Sequence, residues 1–127
     1  MHRFLIATVF VLTMWGCGHE KRMMHESTAI VTSMVELLEA HTSNPPSVLP
    51  ALREFMLENR TRMNRLEKAS KENSSMLGEK ERFRMKVQFV REMSPLKERL
   101  KRVAKVYRDN PEVIESMKEV IGTLKSN

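Results

Sequence analysis

The chain has almost no cysteine, little glycine, few aromatic rings and no apolar run of membrane-spanning length. Its 127 residues include one Cys, four Gly, one Trp and one Tyr. A single thiol excludes an intramolecular disulfide and a cysteine-based zinc site, and the lack of Cys-x-x-Cys-His excludes covalent c-type haem. The longest apolar stretch covers residues 4 to 15, short of the roughly 20 residues that a permanent transmembrane helix needs. Scarce glycine and long charged stretches without apolar alternation argue against strands. Beyond residue 17 the aromatic side chains are Phe55, Phe83, Phe89 and Tyr107. Aliphatic and Met side chains must therefore fill the core, which suits helices packed on helices in one all-α domain.

The amino-terminal segment is organised differently from the rest. Met1-His2-Arg3 gives a positive start, an apolar run follows, Gly16 supplies a small residue before Cys17, and His19-Glu20-Lys21-Arg22 turns polar at once. This is the layout of a secretory signal peptide. Its end, Met14-Trp15-Gly16-Cys17, resembles the lipobox of bacterial lipoprotein signals, which has a Leu-like residue three before an obligatory Cys and small residues between. Met14 and Gly16 match; Trp15 stands where a small residue is usual. The resemblance covers residues 1–17 and implies cleavage between Gly16 and Cys17, lipidation of the Cys17 sulfur and acylation of the new amino terminus. Several buried acyl chains, at ~0.8 kcal/mol per methylene, hold where one chain is marginal. Residues 1–16 then form a discarded signal peptide, residues 17–26 a lipidated tether and residues 27–127 the helical body. Gly18 occupies the position where Asp retains enterobacterial lipoproteins at the inner membrane, so the expected address is the bacterial cell envelope, at the outer membrane and facing the periplasm.

Four helices are expected in the body. The first, about 27–41, carries Ile30, Met34, Leu37, Leu38 and His41 at helical spacing. Pro45-Pro46 ends it, Ser47 is the expected N-cap of the second helix, and Pro50 falls in that helix's first turn. The second helix, about 48–74, repeats Leu49, Leu52, Met56, Asn59, Met63 and Leu66 with heptad-like spacing. Gly78 is the expected left-handed residue of the next turn. A third helix, about 79–107, is read with Phe83, Val87, Val90, Met93, Leu96, Leu100, Val103 and Tyr107 on one face and with Pro95 as a kink. The fourth, about 111–125, carries Val113, Met117, Val120, Ile121 and Leu124. With two helices of roughly 45 Å and two of about half that length, the expected architecture is an antiparallel four-helix bundle built on a long central hairpin. A two-helix tip would project near residues 71–81, exposing Met76 and Leu77.

Charge is uneven. Residues 79–108 hold eleven Lys or Arg against four Glu, whereas residues 109–127 hold four acids against two Lys. Arg82, Arg84, Lys86, Arg91, Lys97, Arg99, Lys101, Arg102, Lys105 and Arg108 form the expected basic face. Such a face is either solvated beside an acidic helix or turned to anionic lipid head groups or an acidic partner. Nucleic acid is disfavoured, because the basic stretch is aliphatic and lacks stacking aromatics.

His19, Met23, Met24 and His25 are weak candidates for a soft Cu(I) site. The helix count also resembles four-helix b-type cytochromes, but the fourth helix has no His to serve as axial ligand. No nucleophile–base pair or Gly-rich loop is present, so no catalytic residue and no enzyme activity are assigned, and the only attached group expected is the lipid on Cys17. Two classes of function remain. The first is a non-catalytic interaction module with an envelope protein partner. It is similar to secretin pilotins, although their typical disulfide cannot form here. The second is a chaperone-like or ligand-binding (haem or metal) helical bundle facing the periplasm, though the Leu-Thr-x-x-Gln motif of periplasmic chaperones is absent.

Overall fold

The computed structural model describes the backbone of residues 2–125 and the side chains of residues 21–124. Among the described residues the protein is all-helical, with four α-helices and no strand: α1 (His2–Ala40), α2 (Leu49–Met76), α3 (Glu79–Val106) and α4 (Pro111–Lys125). A single 3-10 turn, Pro45–Val48, leads into α2.

The first helix begins well before Ser27. Residues 17–26, expected as a tether, are helical backbone, and Met24 and Ser27 are buried. The reason is periodic: Met24, Ser27, Val31, Met34 and Leu38 alternate steps of three and four, which keeps one face in register. Ile30 and Val35 are fully buried beside them and widen the stripe. The width fits the packing. The α1 helix lies close to α3 and α2 and also touches α4, and α2 lies close to α4. Although consecutive in the chain, α2 and α3 are not among these closely packed pairs. The helix that packs against each of the others is therefore α1. Leu37 and His41, expected on its stripe, are only half-buried, whereas Val31 and Val35 face the core that this central position creates.

Each closely packed pair also carries an ion pair. Arg65 NH2 meets Glu26 Oε2 at 3.1 Å between α2 and α1. Arg99 Nε donates to Glu39 Oε2 at 3.1 Å between α3 and α1, while its NH2 donates to Oε1. Arg53 Nε and NH2 grip Glu112 at 2.7 and 2.8 Å between α2 and α4. The last two are bidentate, a geometry that adds orientation to attraction.

Local chemistry explains the connections. Ser47 does not cap α2, whose N-cap position is Val48. Its hydroxyl donates to the Asn44 carbonyl at 2.6 Å, and His41 Nδ1 lies 2.8 Å from Ser47 Oγ. With the hydroxyl hydrogen committed to Asn44, the imidazole Nδ1–H is the donor of the second bond. In α2, Leu52, Met56, Met63 and Leu66 are buried as their spacing predicts. Asn59, the polar interruption, turns its Nδ2 back to the Phe55 carbonyl at 2.9 Å.

Gly78 differs from expectation. Its φ of −73° and ψ of 169° are extended, not left-handed, and it serves as the N-cap of α3 without a side-chain bond. A Cβ there would meet nothing within 4 Å. Gly78→Asp should therefore stabilise the protein by about 0.5–1 kcal/mol, through a cap to the orphan N–H groups and a less flexible unfolded chain. A higher midpoint in thermal unfolding followed by circular dichroism is the expected result.

The α3 helix runs through Pro95, so the proline does not reverse the chain. Ser94, Pro95 and Arg91 are exposed, so the Arg91 carbonyl that loses its helical donor can turn to water. Leu124 marks where α4 stops contributing. It lines a small pocket of about 30 Å³ with Met23, Met24 and Ser27 of α1, Leu66 and Ser70 of α2, and Met85 and Phe89 of α3. Beyond this four-helix layer α4 has one further helical residue, while α2 and α3 continue to the turn at Leu77-Gly78.

Candidate interaction surface at the helical tip

The sequence reading put Phe83, Val87 and Val90 in line with Leu96, Leu100, Val103 and Tyr107. They are not in line. Two successive steps of three, Val90 to Met93 to Leu96, each fall ~60° short of a turn, so the early stripe sits roughly 140° away from the later one. Met85 and Phe89 occupy the core-side phase instead and are half-buried. Phe83 and Val90 are 70% and 65% exposed, and Val87 is 41% exposed. The first half of α3 thus has two apolar stripes, one packed and one open.

The open stripe adjoins a cleft. Its volume is about 550 Å³, and its walls are Lys71, Ser74 and Ser75 from the end of α2 and Glu79, Arg82, Phe83 and Lys86 from the start of α3. On each helix these residues follow helical spacing, so they line one side of it. Three cations face one carboxylate. Lys71 Nζ is held by Glu67 at 3.1 Å, whereas Arg82 and Lys86 form no ion pair with a described residue. Ser75 Oγ donates to the Glu72 carbonyl at 2.8 Å, which fixes it against its own helix. Met76, at the very end of α2, is 86% exposed, as the tip geometry predicts; Leu77 is half-buried.

The ten-residue basic face separates into parts. Arg99 leaves it: the guanidinium is half-buried against Glu39 and acts in packing. Hydrogen bonding to Arg99 holds the Glu39 carboxyl below the usual range, against an opposing effect of burial, with the charges of Arg99 and Arg102 adding to it. The same bond raises Arg99. Arg53 and Glu112 perturb each other in the same directions, again chiefly through their hydrogen bonds. Arg84 and Lys101 sit 3.9 and 3.7 Å from Glu81 and Glu98 of their own helix, and Arg108 3.9 Å from Asp109. Lys97, Arg102 and Lys105 are exposed on the second half of α3, and Arg82, Lys86 and Arg91 are exposed around the open stripe.

Met24 is buried, Met23 packs against the core and His25 is exposed. The side chains of Gly16, Cys17 and His19, and with them the lipidation and cleavage positions, lie outside the described residues. Met34, the Met considered as an iron ligand, is fully buried among aliphatic side chains. Among the described residues no helix is long and apolar enough to cross a membrane.

The cleft residues Lys71, Ser74, Ser75 and Glu79 were not singled out from the sequence. The signal was present in the broken phase at Val90-Met93-Leu96, which frees Phe83 from the core and leaves it beside Arg82 and Lys86. Comparison with protein-family models, with curated proteins and with solved structures finds no match to this chain.

Proposed function

We propose that this chain is a lipid-anchored, non-catalytic helical module of the bacterial cell envelope. A signal peptide, residues 1–16, is removed, and Cys17 carries the acyl chains. The body is an antiparallel up-down bundle at the outer membrane that faces the periplasm and engages an envelope protein partner. The cationic outer surface of the second half of α3, with Lys97, Lys101 and Lys105, suits a partner of acidic character.

One observation carries the reading: the direction of α1. The helix runs toward the turn at residues 41–48, and Met24 shares a layer with Ser70 and Met85, next to the tip. Cys17 precedes Met24 by two helical turns, roughly 10 Å, on the tip side. An acyl chain on Cys17 therefore leaves the body at the end where the open apolar stripe and the cleft lie, and the opposite end, with the turns at residues 41–48 and 107–110, faces away from the bilayer.

Metabolic labelling with a fatty acid tests the anchor. The wild-type chain is expected to incorporate label and to fractionate with envelope membranes, while Cys17→Ser should lose both. Equal labelling of the two chains refutes the reading. Crosslinking in intact cells then tests the partner: a single stoichiometric adduct through the α3 cations is the expected result, and its repeated absence removes the partner from the proposal.

A further inference from the structure

The tip of the body holds three features that no part of the packing uses: an open Phe83-Val87-Val90 stripe, an exposed Met76, and cations without a carboxylate partner among the described residues. In a helix that only shields a core, exposed apolar positions are scattered singly. Here they follow one another at steps of four and three along one side of α3. Arg82, Lys86 and Arg91 stand beside them, all exposed. An apolar stripe flanked by Lys and Arg is the composition of helices that lie in a membrane interface, with rings and branched chains among the acyl chains and cations among phosphates.

We infer that the tip is a docking surface for an anionic phospholipid bilayer, with Phe83, Val87 and Val90 entering the interface and Arg82, Lys86 and Arg91 meeting lipid phosphates. Charge complementarity selects this occupant. Around the stripe the cations outnumber the acids, and within the cleft three cations face Glu79 alone. A protein groove would have to cover a strip that is cationic on both flanks. A bilayer supplies negative charge over the whole area and an apolar layer directly beneath it. The orientation argument rests on the lipid anchor proposed above, since Cys17 on the tip side would hold this surface against the membrane. The composition of the tip stands without it.

The test uses the full chain carrying Cys17→Ser, so that no acyl group is attached, and moves the only indole to the tip through Trp15→Phe with Phe83→Trp. Fluorescence then reports the tip itself and not the apolar run at residues 4–15. Vesicles of phosphatidylglycerol are expected to shift the emission to the blue, and brominated acyl chains should quench it. Phosphatidylcholine vesicles and inorganic phosphate should do neither. Reversing the three cations in the same chain (R82E, K86E, R91E) should weaken the phosphatidylglycerol response by about 100-fold, at ~1 kcal/mol for each cation near the surface. These positions are exposed, and circular dichroism verifies that the helices persist. An equal shift on neutral and anionic vesicles, or none on either, overturns the inference. A shift produced by inorganic phosphate alone assigns the cleft to a soluble anion and overturns it as well. A shift that grows with protein concentration in the absence of lipid assigns the stripe to a second copy of the chain, again against the inference. Because no acyl group is present, failure of the anchor reading in the labelling experiment and failure here are separate results.

Discussion

Replacing Tyr107 with Ala is expected to lower the stability of the protein by about 3–5 kcal/mol, the range for removing a large buried ring. Tyr107 follows α3 as its C-cap residue and is fully buried. Its hydroxyl donates to the Leu38 carbonyl at 2.6 Å, one of the carbonyls that the end of α1 leaves without a full set of helical partners. The residue therefore fills the core where α3 ends and also ties that end to α1. Tyr107→Phe separates the two roles. It keeps the ring and removes the hydrogen bond, and the loss should be about 1–2 kcal/mol, because the His41 amide still reaches Leu38 O at 3.3 Å. Burial pushes the Tyr107 phenol above its ordinary value of 10.0. A raised phenol favours the protonated folded state, so its stabilisation is complete below the unfolded value and declines as the pH rises past it. Denaturant unfolding of wild type and Tyr107→Phe on either side of pH 10 should show wild type losing stability more steeply. Parallel curves would show that the hydroxyl does not carry the effect.

Met34→Ala should cost about 2–5 kcal/mol, whereas Phe83→Ser should leave stability within about 0.5 kcal/mol of wild type. The two substitutions together test which side of each helix is packed. Met34 is fully buried in the last two turns of α1, within the cluster that includes Leu38, Leu52 and Val120. Truncating it leaves a cavity on the helix that packs against each of the others, and partial collapse cannot recover the lost contacts. Phe83 has the larger apolar surface and looks the more important residue from composition alone. At 70% exposure it has little packing to lose. Comparison of denaturation midpoints for the two variants and wild type decides the point. A large loss for Phe83→Ser would place the early stripe of α3 in the core and remove the open surface on which the membrane inference depends.

These two residues also separate what was legible in the sequence from what was not. Helix existence and approximate limits are local properties. Paired prolines at 45 and 46, Pro111 at a helix start, and steps of three and four along α2 act within a few residues of themselves. Leu52, Met56, Met63 and Leu66 came out buried as a periodic stripe should. Tyr107 and Val103 were likewise assigned to the core correctly. Periodicity does not say what covers a stripe, nor that a stripe keeps its phase along a long helix, and this is where Phe83, Val87 and Val90 were misread.

By itself, then, the sequence determined an all-helical chain of four helices, the residue types of its core, the excess of cations on α3 and a lone Cys17 at the close of an apolar run. Tertiary structure decided that α1 is the central helix, that Val31 and Val35 are core residues and that Arg99 is held by Glu39 on another helix. It also decided that Ser47 closes a turn instead of capping α2, and that Gly78 is extended. The physical reason is one of range. Capping, proline and helical spacing are set by neighbours in the chain, but the cover over a face depends on where other helices lie. Met85 and Phe89 turn to the packed layer that includes Leu124, while Phe83, Val87 and Val90, on another side of α3, remain open.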